Sequence, residues 1–297
     1  MSPTASQVKA RALVAQVAID LPMPAEMAAL RRILDDANAT PHQLIEALTA
    51  HPDLGNRLLE LLELPLHRQE ADTWTLTRAV NQLGAQRLLD LTLVALLSEA
   101  LWRMGPALAR CDFWPVAVRA ALVSRGLAVL CGRPESDRSL CAGLLMPCGL
   151  AILWHANPAG MQRARLASAN GGCDARAAQR KATGTDCIAV TAALARHWHL
   201  PMPIQRALAC CDEPARAVPH HFESAVLRLA QSACECPDIQ VALDPLALSL
   251  LQLSPANVAA VAANTELYYQ AYLAFIARRT YPPIDASDPA PDGQPAL

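Results

Sequence analysis

The apolar segment from Ala142 to Trp154 constrains the fold of this chain more than any other feature. It carries no formal charge and is apolar on every side of a helical wheel, which is typical of a helix buried at the centre of an α-helical domain. Pro147 lies in the middle of the segment. A proline donates no backbone hydrogen bond, and its ring clashes with the carbonyl group one turn earlier. We therefore predict a buried central helix that kinks or breaks near Met146.

The rest of the chain predicts a helical shell around this segment. Apolar side chains recur at helical spacing, and several helix starts combine a capping residue with proline at the first helical position, as at Thr40-Pro41 and Ser254-Pro255. No stretch alternates apolar and polar residues over the length that a strand needs. The sequence therefore predicts an all-α fold, a multi-helix bundle with an N-terminal helical group and a C-terminal helical extension.

Breaks in the helical pattern divide the chain into regions. The predicted N-terminal helix, main domain, C-terminal extension and disordered tail cover residues 1–20, 21–212, 213–280 and 281–297. Gly105-Pro106 marks a hinge inside the main domain, so we expect a helical group at 21–104 to pack on a second group at 107–212. The tail is rich in proline and aspartate and has few apolar side chains to bury, which predicts disorder.

Composition argues against several classes of function. The chain has 297 residues, is 53% hydrophobic and has a formal net charge of −2, so it can build a large core but lacks the basic character of a nucleic-acid-binding protein. Its 10 cysteines are not spaced as a small disulfide scaffold, and no signal-peptide pattern is visible. The thiols are therefore expected to be reduced and the protein cytoplasmic. Apolar runs such as Leu91–Leu97 are short for a bilayer, so no membrane insertion is expected.

Short motifs follow one another along the chain. Residues 142–149 read A-G-L-L-M-P-C-G, and the others are L-P-M-P at 21–24, H-P-D-L at 51–54, T-L-T-R-A-V-N-Q-L-G at 75–84, R-L at 87–88, G-T-D-C at 184–187, W-H-L-P at 198–201 and I-Q-R-A-L-A-C-C at 204–211. In order and spacing this series resembles the HDOD family, the "HD-related output domain" of bacterial signalling proteins. That family is itself related to the HD metal-dependent phosphohydrolases, which have a pattern like A-G-L-L-H-D-I-G at the first of these motifs.

The resemblance also implies which positions correspond to metal ligands. HD enzymes hold one or two metal ions with His and Asp side chains, and the ions ionise a water and neutralise phosphate charge. At the corresponding positions this chain has Met146, Pro147, Cys187, Cys210 and Cys211. A thioether, an imino acid and three thiols do not suit Mg²⁺ or Mn²⁺. The resemblance therefore implies a degenerate site with no metal, no cofactor and no catalytic residues.

Two other functions stay open on sequence grounds. Cys148 would approach the former site together with the three cysteines named above, and tetrahedral thiolate binding of Zn²⁺ is chemically sound, so a Cys-based metal or redox sensor is one alternative. Against it, Cys210 and Cys211, as neighbours on a helix, would point about 100° apart. The other alternative is a metal-dependent phosphohydrolase with relocated ligands, which would need a His/Asp cluster that the sequence does not show.

The resemblance favours a non-catalytic signal-transduction module, a pseudoenzyme that acts through protein–protein interaction. We expect its partner to be a bacterial signalling protein, of a cyclic di-nucleotide or two-component pathway, and we expect no nucleic acid. The polar stretch from Pro65 to Thr73 predicts an exposed loop that includes His67. Loops on rigid scaffolds commonly carry recognition, so the candidate partner contacts are Arg68, Glu70 and Asp72.

Overall fold

The structure, a computed structural model, describes residues 4–17, 26, 30, 33, 40–67, 73–103, 113–169, 174–235 and 243–277. Every regular element in these ranges is helical, which confirms the all-α prediction. The predicted hinge at Gly105-Pro106, the loop residues Arg68, Glu70 and Asp72, and the predicted tail lie outside the described residues.

The described α-helices follow one another without a strand between them. They are α1 (Ala5–Val17), α2 (Pro41–Ala50), α3 (Pro52–Leu62), α4 (Leu76–Leu83), α5 (Ala85–Arg103), α6 (Phe113–Leu130), α7 (Ser136–Leu145), α8 (Cys148–Ala156), α9 (Pro158–Ala169), α10 (Ala175–Thr183), α11 (Cys187–His197), α12 (Met202–Ala209), α13 (His221–Glu235), α14 (Pro245–Leu251) and α15 (Pro255–Ala277). A short 3-10 helix, Pro214–Ala217, joins α12 to α13.

Local sequence signals set several of these boundaries. Thr40 accepts a hydrogen bond from the backbone N–H of Gln43 at 3.3 Å, and the Gln43 side chain accepts one from the backbone N–H of Thr40 at 2.6 Å. This reciprocal capping box, with Pro41 at the first helical position, starts α2 where the sequence predicts it. Asp186 caps α11 in a similar way, because its carboxylate accepts the N–H of Ala189 at 2.9 Å.

The central apolar segment breaks where proline requires it. Helix α7 ends at Leu145 and α8 begins at Cys148, so Met146 and Pro147 form the turn between them. Leu145 and Ile152 are buried, as predicted, but Met146, Pro147 and Trp154 are only half-buried. The prediction of a segment buried on all sides is therefore wrong at the turn and at the C-terminal end, because these residues lie where a helix ends.

Two clusters of buried apolar side chains hold the helices together. The larger one runs from α1 through α12 and includes Trp198, which is 1% exposed, and Phe275 and Ile276 near the end of α15. The smaller one joins Val123 and Leu127 of α6 to α13, α14 and the first turns of α15. The C-terminal helices therefore share both clusters with the main domain and are not an appendage to it.

Within the part of the chain that the structure describes, two segments are long and apolar enough to cross a membrane, judged by length and composition alone. They are Phe113–Leu130 and Ser136–Ala156, and the bent pair formed by α14 and α15 would add a third if it were one span. The expectation that the apolar runs are too short is therefore wrong. In the structure 56% of the first segment and 67% of the second are buried inside the protein, so packing among helices accounts for much of their apolar composition.

Candidate functional site

The residues at the former metal-ligand positions lie at the ends of helices. Met146 and Pro147 form the turn before α8, Cys187 is the first residue of α11, and Cys210 and Cys211 follow the last residue of α12. The prediction that Cys210 and Cys211 are neighbours on a helix is wrong, because α12 ends at Ala209 and Cys210 is its capping residue. Their directions are therefore set by the turn after α12 and not by helical geometry.

Direct backbone contact between α8 and α11 fills the space beside this turn. The backbone N–H of Gly149 donates a hydrogen bond to the Thr191 hydroxyl at 2.9 Å, and that hydroxyl donates in turn to the carbonyl oxygen of Met146 at 3.3 Å. A Cβ atom on Gly149 would lie 1.9 Å from the carbonyl oxygen of Cys187, which no side chain allows. The two helices therefore touch beside Cys187 and the turn at Met146.

The cysteines at these positions are poorly suited to metal binding or nucleophilic attack. Burial raises the pKa of the Cys211 thiol far above its ordinary value, and that residue is only 2% exposed. Burial also raises the pKa of the half-buried Cys210 thiol. Both thiols stay protonated near neutral pH, whereas attack on an electrophile requires a thiolate. Among the described residues, no group of three or more His, Cys, Asp or Glu side chains could hold a metal ion.

Two aspartates in this region, Asp186 and Asp212, form ion pairs with arginines. Asp186 belongs to the G-T-D-C motif, and besides capping α11 it accepts a hydrogen bond from Arg180 at 2.8 Å. Asp212, which follows the cysteine pair, forms an ion pair with Arg176. The residues present do not fit the hard divalent ions of HD enzymes, because the carboxylates are engaged by arginines and the other positions offer sulfur or a proline ring.

A group of buried charges that was not predicted lies at the other end of α7. The Asp137 carboxylate is 1% exposed and accepts hydrogen bonds from Nε of Arg87 at 2.7 Å and from Nε of Arg125 at 2.6 Å. One residue further along α7, Arg138 donates to the buried Asp90 at 3.3 and 3.4 Å. These bonds tie α5, α6 and α7 together through charge-assisted contacts inside the protein.

His67 and Tyr272 extend this group to the C-terminal helix. His67 is 2% exposed and shares a short hydrogen bond between its Nε2 atom and the Tyr272 hydroxyl. The prediction of an exposed loop is therefore wrong at His67, because its side chain is buried against Tyr272. Burial lowers the pKa of His67 to about 3, although the charge of Asp137 opposes this shift. We call His67, Arg87, Arg125, Asp137 and Tyr272 the junction cluster.

The pKa values of the two buried carboxyl groups, Asp137 and Asp90, are shifted in opposite directions. Burial opposes ionisation of Asp137, but His67, Arg125 and Arg87 together hold the pKa of that carboxyl below its ordinary value. Asp90 has only one arginine partner, and burial raises its pKa to about 6. Arg87 matches a family motif in the sequence, but nothing local to the sequence pairs it with Asp137, which lies 50 residues away.

The described helices pack around a broken central segment and define an all-α helical domain. The HDOD domain matches residues 21–214, and the chain therefore belongs to the HDOD family. No curated protein matches the chain.

Several solved structures have the same fold. An HDOD domain protein of unknown function from Geobacter sulfurreducens has a TM-score of 0.71 and 16% identity, over 91% of this chain and 98% of that one. A proposed phosphohydrolase from Shewanella amazonensis has a TM-score of 0.64 and 21% identity, over 89% and 97%. A proposed signal-transduction protein from Marinobacter aquaeolei has a TM-score of 0.65 and 17% identity, over 92% and 66%. At these identities the likeness extends to the fold alone.

Proposed function

We propose that this chain is a non-catalytic regulatory module that acts by binding other proteins. The observation that carries the proposal is the contact between α8 and α11, where Gly149, Thr191 and the backbone of Cys187 occupy space next to the former ligand positions. Membership of the HDOD family and the likeness in fold to the Marinobacter aquaeolei protein support a role in signal transduction. The proposal includes a bacterial, cytoplasmic setting and a partner from a cyclic di-nucleotide or two-component pathway.

A module that catalyses no reaction can regulate other proteins only by binding them more tightly in one of its states than in another. A partner can shift the populations of two states only if it binds one of them more tightly than the other. The junction cluster joins α5, α6 and α7 through the hydrogen bonds of Arg87 and Arg125 to Asp137, and joins His67 to α15 through its hydrogen bond with Tyr272. The two sets of bonds are coupled because the charge of Asp137 acts on His67. Partner binding to any of these parts would therefore act on the same buried contacts, which supports regulation through the packing of helices.

A second candidate function is a Cys-based sensor, and one observation favours it. The charge of Cys187 contributes to the raised pKa of the Cys211 thiol, after burial and the charge of Asp212. Elemental analysis of protein purified without chelators tests this alternative, because a zinc or iron site would give about one ion per chain. A metal content that disappears in both Cys187→Ser and Cys211→Ser would replace our proposal with the sensor.

Capture of a partner from the native cell tests the proposed function itself. The whole chain serves as bait, and any captured protein is then purified and titrated against the pure chain. We expect a saturable isotherm and a change in the partner's own activity on binding. The loop variant Arg68→Glu with Asp72→Lys tests the predicted contact, which should weaken capture without changing the melting temperature. A bait that never gives a saturable complex would contradict the proposal.

A further inference from the structure

The last turns of α15 carry most of the tyrosine and phenylalanine of the chain. The whole chain has 4 tyrosines and 3 phenylalanines, and four of these seven residues lie within 268–275. Tyr269, Tyr272 and Phe275 are at most 5% exposed and belong to the larger apolar cluster. The first turns of α15 belong instead to the smaller cluster, through Val258. The two ends of this helix are therefore held by different parts of the protein.

Arg57 of α3 binds the C-terminal end of α15. Its Nη2 atom donates a hydrogen bond to the carbonyl oxygen of Phe275 at 2.8 Å, and its guanidinium group lies 3.5 Å from the centre of the Phe275 ring. That carbonyl group is among the last four of the helix, which have no partner within the helix and carry the negative end of its dipole. Arg57 is 6% exposed, so this contact lies inside the protein. One buried cation thus recognises both the backbone and an aromatic side chain of α15.

Two further side chains bind the aromatic residues of α15. His67 shares its short hydrogen bond with the Tyr272 hydroxyl, and the guanidinium group of Arg119 in α6 lies 4.4 Å from the centre of the Tyr269 ring. Aromatic anchors that meet arginine side chains are typical of hot spots between separate proteins. The end of α15 therefore contacts the rest of the chain in the manner of a bound helical peptide.

Several features allow this end of α15 to leave while the rest of the protein stays folded. Arg57 also forms an ion pair with Glu60 at 2.9 Å, so its charge keeps a partner when α15 is absent. Among the described residues, Nδ1 of the buried His67 has no hydrogen-bond partner, which costs free energy in the docked state. The first turns of α15 remain attached through the smaller cluster. Release therefore breaks a small set of contacts at one end of the helix.

We propose that residues 268–276 form a latch, an internal helical ligand that a partner protein displaces. This inference rests on the proposed function and specifies the surface and the chemistry of the partner. The partner presents an amphipathic helix with aromatic side chains every third residue, as the latch does, and Arg57 and His67 bind that helix in place of the latch. Displacement separates the end of α15 from α3, which changes how the helical parts pack.

A labelled synthetic peptide of residues 264–280 is the probe for the surface under the latch. Its binding to the full chain is measured by fluorescence anisotropy. The full-chain variant Tyr272→Ala with Phe275→Ala has a weakened latch, and we expect it to bind the peptide at least about tenfold more tightly than the wild type does. Adding Arg57→Met to this variant should remove the gain, because the guanidinium contacts are lost. Equal affinity of the wild type and the double variant would overturn the proposal.

The matched control loosens the other end of α15. Val258→Ala with Val261→Ala acts on the smaller cluster only, and this variant should bind the peptide within about twofold of the wild type. A gain as large as that of the latch variant would mean non-specific attraction to a loosened protein and would overturn the proposal. Dimers of the latch variant that do not bind the peptide would reject a partner helix in favour of exchange of α15 between two copies of the chain.

Hydrogen exchange of the single variant Arg57→Met tests the latch even if the double variant does not fold. We expect the backbone N–H groups of residues 268–276 to exchange at least about tenfold faster than in the wild type, and those of residues 255–262 to be unchanged. The same acceleration along the whole helix, or none, would overturn the latch.

Binding of the captured native partner separates this inference from the proposed function. The latch variant Tyr272→Ala with Phe275→Ala should bind that partner more tightly than the wild type does, because no latch has to be displaced. If the variant binds it equally or more weakly, the latch is wrong, while the proposed function stands. If no partner forms a saturable complex, the proposed function fails, while the peptide result still measures whether this end of α15 detaches.

Discussion

His67 gives the junction cluster a defined dependence on pH. Its pKa is about 3 in the folded protein, because burial disfavours the charged ring, and about 6.5 in an unfolded chain. Below about pH 6.5, His67 therefore binds a proton in the unfolded chain but not in the folded protein. The contribution of His67 to the stability of the folded protein falls as the pH falls from about 6.5 towards 3. The pKa of about 3 for His67 in the folded protein already reflects the charges of its neighbours Asp137, Arg125 and Arg87.

We predict that the wild type loses about 2 kcal/mol more free energy of unfolding between pH 7 and pH 5 than His67→Gln does. Glutamine keeps a polar group near Tyr272 but has no charge to gain. Urea unfolding of both proteins at both pH values measures the difference. The comparison cancels the contribution of Asp90, whose raised pKa acts in the opposite direction over this range. The same pH dependence in both proteins would contradict a buried neutral His67.

Asp137 should be the most sensitive acidic position in the chain. Asp137→Asn leaves Arg87 and Arg125 without their shared counter-charge inside the protein, which is expected to cost about 3–5 kcal/mol. Glu266→Gln is the control, because the Glu266 and Arg119 side chains are 53% and 46% exposed and such pairs contribute at most about 1 kcal/mol. Chemical denaturation of the two variants checks the ranking, and similar losses would argue against the buried pairing.

At the scale of elements, the contact between α8 and α11 depends on a missing side chain. Gly149→Ala would place a methyl group against the backbone of Cys187, which has no rotamer to move, and we expect a loss of about 3 kcal/mol or more. Gly126→Ala is the matched control. Its added methyl group would lie 2.6 Å from the Cγ1 atom of the half-buried Val261, so a side chain and not the backbone must shift, and we expect a smaller loss. Thermal unfolding of both variants tests the contact, and a Gly149→Ala protein as stable as the control would show that the helices are further apart.

Local signals in the sequence account for much of the helical framework. The capping box at Thr40 and the helix break at Pro147 each depend on a few neighbouring residues, and both occur where they are predicted. Helices α9 and α10 were not predicted, because their short sequences consist mostly of small and polar residues and offer few large apolar side chains. Propensity and packing against neighbours, not a pattern of apolar residues, form such helices.

The site could be predicted only in part, for the same physical reason. The resemblance to HD enzymes gives the positions of the former ligands, but it does not show that α12 ends before Cys210 or that the Thr191 hydroxyl of α11 bonds to the backbone of Gly149 in α8. The junction cluster joins residues far apart in the chain, such as His67 and Tyr272, which are 205 positions apart. No local motif encodes a hydrogen bond between residues so far apart in the chain. The junction cluster can therefore be identified only from the packed structure.

For the whole molecule, the central claim is that a family related to phosphohydrolases here supplies a binding module and not an enzyme. The claim rests on the packing of α8 against α11 and on thiols that burial keeps protonated. A protein of this kind should pass its signal by changing how its helical parts pack when a partner binds. Its rate of phosphate release should not respond to divalent ions.

The most direct test is a hydrolysis assay of the purified full chain with nucleotides, cyclic di-nucleotides and phosphomonoesters, each with added Mg²⁺, Mn²⁺ or Zn²⁺. A variant with the packing of α8 against α11 disturbed, Thr191→Ala, is assayed beside the wild type as a preparation control for contaminating phosphatases. We predict the same background rate for both proteins under every condition. Metal-dependent turnover by the wild type that is lost in Thr191→Ala, while the variant remains folded by circular dichroism, would contradict the account.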